Sequence, residues 1–161
     1  MTDLDGIYRQ YAQTVYRFLL AKTGSPELAE ELTQETFYQA VRSINRYDGS
    51  SRVSTWLCGI AKNVWLADQR KRKMESPALD DVPERTVNSA EESFLEKADV
   101  KAILAAIDEH PEPGKEVLRL RLLGGLSFRQ IGDAMGKTET WARVTYYRAK
   151  QNIVKELDQD E

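Results

Sequence analysis

The sequence predicts an all-α protein made of two small helical domains joined by an acidic linker. Three observations lead to this prediction. Apolar residues recur with the 3.6-residue period of a helix, and no segment alternates as a strand would. Capping residues, prolines and glycines stand where the periodic segments begin and end. Residues 74–92 lack this period, and 74–98 hold seven acidic residues against two basic ones.

The first half of the chain reads as three helices. Their expected spans are about 4–22, 26–44 and 53–73. Asp3 is the expected N-cap of the first helix, and Gly24 ends it. Ser25 and Pro26 then stand as the N-cap and first residue of the second helix. These helices form the first predicted domain, residues 1–73, and the linker is predicted at 74–92.

The second half, residues 93–161, reads as four shorter helices. Their expected spans are about 93–109, 114–123, 127–135 and 139–157. Pro111 ends the first of them, and Ser127 and Thr138 are expected to cap the last two. The last pair, with its turn at Gly136 and Lys137, predicts a helix-turn-helix, whose second helix fits a DNA major groove. A plain helical hairpin is the alternative.

The composition limits the chemistry that this chain can perform. One cysteine, Cys58, and one histidine, His110, exclude an internal disulfide, a thiolate metal site and most histidine-based metal centres. Motifs of nucleotide-hydrolysing enzymes are absent as well, so we expect no metal, no cofactor and no catalysis. Neither a signal sequence nor an apolar stretch of membrane-spanning length is present, which predicts a cytoplasmic protein without membrane insertion.

Charge divides the chain into faces that could bind partners. Residues 42–73 hold eight basic residues against two acidic ones, and 137–155 hold five against one. Such basic segments are candidate phosphate-binding faces, although a solvated helix surface has the same composition. Trp65 lies among basic side chains, which suits stacking on single-stranded nucleic acid, although a packing role is equally open. The second helix has an acidic outward face. This face either is solvated or binds a protein partner.

Several segments resemble the bacterial extracytoplasmic-function (ECF) sigma factors. Residues 29–37, AEELTQETF, resemble the signature AEDLVQETF, and the residues from Trp56 to Arg70 resemble the pattern WLxxIAxNxxxDxxR. Both patterns belong to sigma region 2. Residues 113–118 and 125–132, and Arg148-Ala149-Lys150, resemble region 4. The resemblance covers about 7–73 and 95–157, in the order that the family has.

The resemblance implies a promoter-specificity subunit that docks on bacterial core RNA polymerase. It then opens the minus-ten promoter element and reads the minus-thirty-five element, so both double- and single-stranded promoter DNA are expected partners. In the family an anti-sigma factor often holds the protein inactive, and the sequence leaves open whether one acts here.

Three sets of candidate residues follow from the resemblance and the predicted helix faces. The core polymerase-binding set is Glu27, Glu30, Glu31, Gln34, Glu35 and Tyr38. The minus-ten set is Arg46, Asp48, Ser51, Arg52, Lys62, Asn63, Trp65, Arg70 and Arg72. The minus-thirty-five set is Thr138, Glu139, Thr140, Arg143, Val144, Thr145, Tyr147 and Arg148.

The sequence departs from the family pattern in region 4. Gln130-Ile131-Gly132 stand where the family usually has EIA, and Thr145 replaces a frequent arginine.

A dimeric helix-turn-helix repressor is the main alternative function. It would need a dimer face, and it would not need the pattern at residues 27–37. An enzyme is disfavoured by the absence of any catalytic constellation.

Overall fold

The computed structural model describes residues 4–75 and 100–159. The α-helices in these ranges are α1 (Leu4–Thr23), α2 (Pro26–Ser43), α3 (Val53–Glu75), α4 (Val100–Glu109), α5 (Gly114–Leu122), α6 (Phe128–Met135) and α7 (Glu139–Gln159). A 3₁₀ turn, Ile44–Arg46, follows α2. No strand occurs in the described part of the chain, so the all-α prediction is confirmed. The expected cap Asp3 and the start of the helix predicted at 93–109 lie outside the described residues.

The predicted helix boundaries in the helix-turn-helix are confirmed by their caps. Ser127 Oγ accepts a hydrogen bond from the Gln130 N–H at 3.1 Å, and the Gln130 side chain accepts one from the Ser127 N–H at 2.9 Å. Gly136 ends α6 in the left-handed region at φ 68°, which glycine adopts without strain. The Trp141 N–H donates to Thr138 Oγ1 at 3.0 Å and so caps α7.

The linker was expected to begin at residue 74, but α3 continues through Met74 to Glu75. No glycine or proline interrupts the chain after Gly59 until Pro77. A helix usually ends before the residue that precedes a proline, because the proline ring disfavours helical geometry there. Local steric rules therefore allow the two additional residues.

Helices α1, α2 and α3 pack against one another, and α7 packs against α4, α5 and α6. The helical period predicts an inward stripe of α7 made of Ala142, Tyr146, Ala149, Ile153 and Leu157; the first four are buried and Leu157 is half-buried. The prediction for α2 is partly wrong. Its apolar period predicts that Leu28, Leu32, Phe37, Ala40, Val41 and Ile44 face the core, but Val41 is 51% exposed.

Threonines fill part of the buried face of α2 instead. Thr33 Oγ1 donates to the Ala29 carbonyl at 2.6 Å, and Thr36 Oγ1 donates to the Leu32 carbonyl at 2.7 Å. Each hydroxyl is thus satisfied within its own helix, which removes most of the cost of burying it.

The two groups of helices also contact each other, through α1 with α5 and through α3 with α6. The approach is close at Gly124, where an added Cβ would lie 2.6 Å from the Arg17 carbonyl oxygen. Near this contact the side-chain amide of Gln130 lies 3.2 Å from Thr14 Oγ1. Consequently α1 is buried on two sides, and its Phe18 is 3% exposed.

Candidate nucleic-acid interface

The segment between α2 and α3 forms a fixed turn on the surface. The Tyr47 ring stacks on the Trp56 ring with centroids 4.7 Å apart, and the Tyr47 hydroxyl donates to the Ser51 carbonyl. The Asp48 carboxylate accepts the Ser50 N–H at 2.9 Å. Hydrogen bonds from the Ser50 side chain and backbone lower the pKa of Asp48. The predicted minus-ten residues in this segment are therefore presented by an ordered turn.

The exposed face of α3 continues from this turn. Lys62, Asn63 and Arg70 are all exposed, and Asn63 and Arg70, seven residues apart, lie on the same face of α3. The face can supply cationic groups to a phosphate backbone, together with one amide that can hydrogen-bond to a base edge. All three predicted minus-ten residues of α3 are therefore accessible, with Asn63 and Arg70 on one face.

Arg72 belongs to a different surface from the one predicted for it. Its Nε lies 2.8 Å from Asp68 Oδ2. Both residues line a groove of about 500 Å³ between α3 and α2, whose α2 wall includes Glu31 and Glu35. The structure therefore groups Arg72 with the predicted polymerase-binding residues Glu31 and Glu35, on the side of α3 opposite Asn63.

Trp65 is half-buried, in contact with the core. The Lys22 Nζ lies 5.2 Å from the centroid of its ring, which is cation–π geometry. In this arrangement the ring is occupied by a side chain of α1. Its role in stacking on an unpaired base remains a prediction.

The acidic face of α2 is presented as the sequence predicts. Its six predicted members are all exposed: Glu27, Glu30, Glu31, Gln34, Glu35 and Tyr38. The Gln39 side-chain amide donates to Glu35 Oε1 at 3.1 Å, and the Arg42 guanidinium lies over the Tyr38 ring at 5.7 Å. The face combines carboxylates with amide and aromatic groups, and such a mixture suits a protein partner.

The helix-turn-helix presents the predicted minus-thirty-five residues on α7. Seven of the eight are exposed: Thr138, Glu139, Thr140, Arg143, Val144, Tyr147 and Arg148. Thr145 is half-buried. Arg143 Nη2 lies 3.1 Å from Glu139 Oε1, so the two charged residues nearest the start of α7 are paired with each other.

Asp133 is a residue that the sequence analysis missed. It lies on α6, and its Oδ1 is 2.6 Å from Arg52 Nη1 of the predicted minus-ten set. The Asp133 backbone carbonyl also accepts a hydrogen bond from the Thr55 hydroxyl. Nothing in the sequence pattern indicates this contact, because the partners are about 80 residues apart and no local period connects them.

No helix within residues 4–75 and 100–159 is long and apolar enough to cross a bilayer.

Comparison of the structure with solved structures shows a similar fold in the sigma factor RpoE from Bartonella quintana, crystallised with the anti-sigma factor NepR. The two chains superpose with a TM-score of 0.59 and cover each other over 100% of both lengths, at 19% identity.

Sequence comparison gives the relationship directly. Residues 7–74 match Sigma-70 region 2. The ECF RNA polymerase sigma factor SigM of Bacillus subtilis is 34% identical over 151 residues, which are 93% of this chain and 92% of that protein. The ECF RNA polymerase sigma factor BldN of Streptomyces coelicolor is 33% identical over 159 residues, which are 96% of this chain and 60% of that protein. This chain therefore belongs to the ECF RNA polymerase sigma factors, alternative sigma factors that act in transcription initiation.

Proposed function

We propose that this chain binds bacterial core RNA polymerase through the acidic face of α2, melts the minus-ten element with α3 and the turn before it, and binds the minus-thirty-five element with α7. One observation carries the proposal. A single chain exposes an acidic face on α2, basic side chains on α3 and the predicted minus-thirty-five residues of α7. We further propose that residues 1–73 and 93–161 act as two binding units.

The proposal is consistent with the energetics of DNA opening. Opening DNA costs about 1–2 kcal/mol per stacked step. Cationic groups and stacking surfaces can offset this cost by holding the extruded strand. Lys62, Asn63 and Arg70 provide such a face, and it needs no catalytic group.

An anti-sigma factor, such as the one bound to the structural neighbour, is a proposed regulator whose existence requires its own test.

The decisive experiment reconstitutes this chain with bacterial core RNA polymerase on genomic DNA and sequences the transcripts. We expect new start sites whose upstream regions share two sequence elements. A stable homodimer that binds a palindrome without polymerase, and starts no transcript with it, would overturn the proposal.

The polymerase-binding surface can be tested by charge reversal. Glu31→Lys with Glu35→Lys should weaken binding to core enzyme, because it reverses the charge of one wall of the groove between α2 and α3. The matched control is Glu156→Lys with Asp158→Lys, which makes the same charge change at exposed positions of α7. Equal affinity of the two double variants at low salt would remove the α2 face from the proposal.

The recognition helix can be tested by comparing a base contact with a phosphate contact. Arg143→Ala should change the base preference at one or two positions by about 1–3 kcal/mol each. Lys150→Ala should weaken binding to all sequences alike, because phosphate contacts do not report the base. A randomised minus-thirty-five library separates the two effects. An unchanged preference of the Arg143→Ala chain would show that Arg143 does not read bases.

A further inference from the structure

We propose that Phe128 positions Arg143 and so sharpens the base preference of the recognition helix. Phe128 lies at the start of α6 and belongs to none of the three predicted sets of site residues. The proposal deepens the proposed function, and it rests on that function in assigning base reading to Arg143. Phe128 is a positioning residue, because it acts on DNA through the arginine that its ring contacts.

Two partners hold the Arg143 guanidinium. Its Nη2 lies 3.1 Å from Glu139 Oε1, and its central carbon lies 5.8 Å from the centroid of the Phe128 ring, which is within cation–π distance. The Arg143 side chain is 48% exposed and that of Glu139 is 51% exposed. An exposed ion pair between neighbouring turns of one helix is weak. The ring therefore supplies a second restraint, and this restraint comes from a different helix.

The Phe128 ring has its position fixed by contacts other than the one with Arg143. The ring is half-buried against the core. The guanidinium carbon of Arg121, on α5, lies 4.4 Å from the ring centroid. On α7, the ring centroids of Tyr146 and Tyr147 lie 5.4 Å and 5.9 Å away. Because side chains of two other helices hold the ring, it forms a fixed wall beside the recognition arginine.

A restrained guanidinium suits a guanine base. Arginine donates two parallel hydrogen bonds to O6 and N7 of guanine in the major groove, and this fork requires the plane of the guanidinium to match the base edge. A long side chain also loses rotamer freedom when a base fixes it, and a side chain that is already restrained loses less. The ring therefore favours the base whose edge fits the held fork, and we expect that base to be guanine.

The ring should affect the discrimination between bases more than the overall affinity. Contacts to phosphate supply most of the binding that does not depend on sequence. Phe128 carries no charge and no polar side-chain group, so removal of its ring leaves those contacts in place. A purely structural role predicts a different result. A loss of stability lowers binding to every sequence by the same factor and leaves the ratios between bases unchanged.

The test compares two substitutions of Phe128 in the full chain with core enzyme, on the randomised minus-thirty-five library. Phe128→Leu removes the ring and keeps an apolar side chain, whereas Phe128→Tyr keeps the ring. The informative position in the library is the one whose preference Arg143→Ala removes. There we expect Phe128→Leu to reduce the preference for guanine about fivefold and Phe128→Tyr to keep it within about twofold of the parent. Phe18→Leu is the control, because it removes a phenyl ring from the core at α1 and should leave the preference unchanged.

The Arg143→Ala background separates this effect from other routes. Adding Phe128→Leu to the Arg143→Ala chain should leave the remaining base ratios unchanged, because no guanidinium is left to position. A Phe128→Leu chain that keeps the parent's preference would overturn the proposal, and so would a change of base ratios in the Arg143→Ala background. If Arg143→Ala alone leaves every preference unchanged, the base-reading role in the proposed function is wrong, and the positioning role fails with it.

A measurement without DNA tests the positioning itself. Nitrogen-15 relaxation of the Arg143 Nε in the free chain reports how strongly the side chain is ordered. We expect a lower order parameter in the Phe128→Leu chain than in the parent and the Phe128→Tyr chain. Equal order parameters in all three chains would contradict positioning by the ring. Because this result does not depend on promoter binding, failure of the ring contact is distinguishable from failure of the proposed function.

Discussion

Gly132 shows how a single residue sets the geometry of the helix-turn-helix. A Cβ added there would lie 2.7 Å from the Thr138 carbonyl oxygen and 3.0 Å from that of Lys137. Both atoms belong to the backbone that leads into α7, so they cannot move aside as a flexible side chain would. The family usually has an alanine at this position. The glycine in this chain therefore coincides with an unusually close turn.

Gly132→Ala should destabilise the protein. The overpacking cost of about 1–3 kcal/mol exceeds the helix-propensity gain of about 1 kcal/mol. Gly59→Ala is the matched control, because Gly59 lies inside α3 and an added Cβ meets nothing within 4 Å. That change should raise the free energy of unfolding by about 0.5–1 kcal/mol. Urea unfolding of both variants measures the two effects, and a stabilised Gly132→Ala chain would refute the packing argument.

Cys58 is a buried thiol, 1% exposed. Burial raises its pKa to about 12, and the negative charge of Asp133 adds to the shift. At neutral pH the side chain is therefore a protonated core residue, and the reactive thiolate is scarce. Its chemistry is set by its position on the inner side of α3.

The native chain should react with a thiol reagent at pH 8 far more slowly than the chain in urea.

The folded protein keeps the Cys58 thiol protonated at pH values above the thiol's unfolded pKa of about 8.5. The unfolded state therefore binds fewer protons than the folded state in that pH range. The free energy of unfolding should therefore fall as the pH rises from about 8.5 towards the folded pKa of about 12. Cys58→Ala should flatten this dependence, and an unchanged pH profile would exclude the thiol as its cause.

At the scale of elements, capping positions the recognition helix. Thr138 accepts a hydrogen bond from the Trp141 N–H, and its own carbonyl accepts one from the Ala142 N–H. This cap defines where α7 begins, and α7 begins at the end that is proposed to enter the groove. The order of this helix end therefore depends on the Thr138 cap.

Thr138→Ala should lower the free energy of unfolding by about 1 kcal/mol, because an N–H of the first turn loses its acceptor. Thr138→Ser keeps the hydroxyl and should stay close to the parent. Urea unfolding measures the difference between the two variants without involving DNA. If both variants lose the same stability, the methyl group rather than the cap is responsible.

The elements also show which local predictions hold. Ser25, Ser127, Gly136 and Thr138 act at helix ends as their residue types predict, because a cap involves only neighbours within four residues. Val41 does not follow its prediction, because burial depends on where another helix lies. The inner face of α2 is instead completed by threonines that bond to their own helix.

At the scale of the whole molecule, the Lys22–Glu116 pair joins α1 to α5. Its two side chains are largely buried, so it is screened by salt much less than a surface pair. Removing one partner of a buried pair costs about 3–5 kcal/mol, because the other charge is left without compensation. Separation of the two halves relieves that cost.

Glu116→Gln should therefore shift the chain towards an open form. Small-angle X-ray scattering should show a larger radius of gyration than for the parent. Asp5→Asn is the control, since it removes an exposed pair on α1 and should leave the radius unchanged. A Glu116→Gln chain as compact as the parent would show that other contacts suffice to hold the halves together.

The sequence by itself determined the helices, their caps and the acidic and basic faces, because each depends on interactions within about one helical turn. The motifs it contains also carried the family assignment. Only the tertiary structure decided that α1 is buried on two sides, that Arg72 lines the groove between α2 and α3, and that Asp133 pairs with Arg52. These features depend on contacts between residues far apart in the chain. No periodicity encodes them, so they become visible only when the helices are packed together.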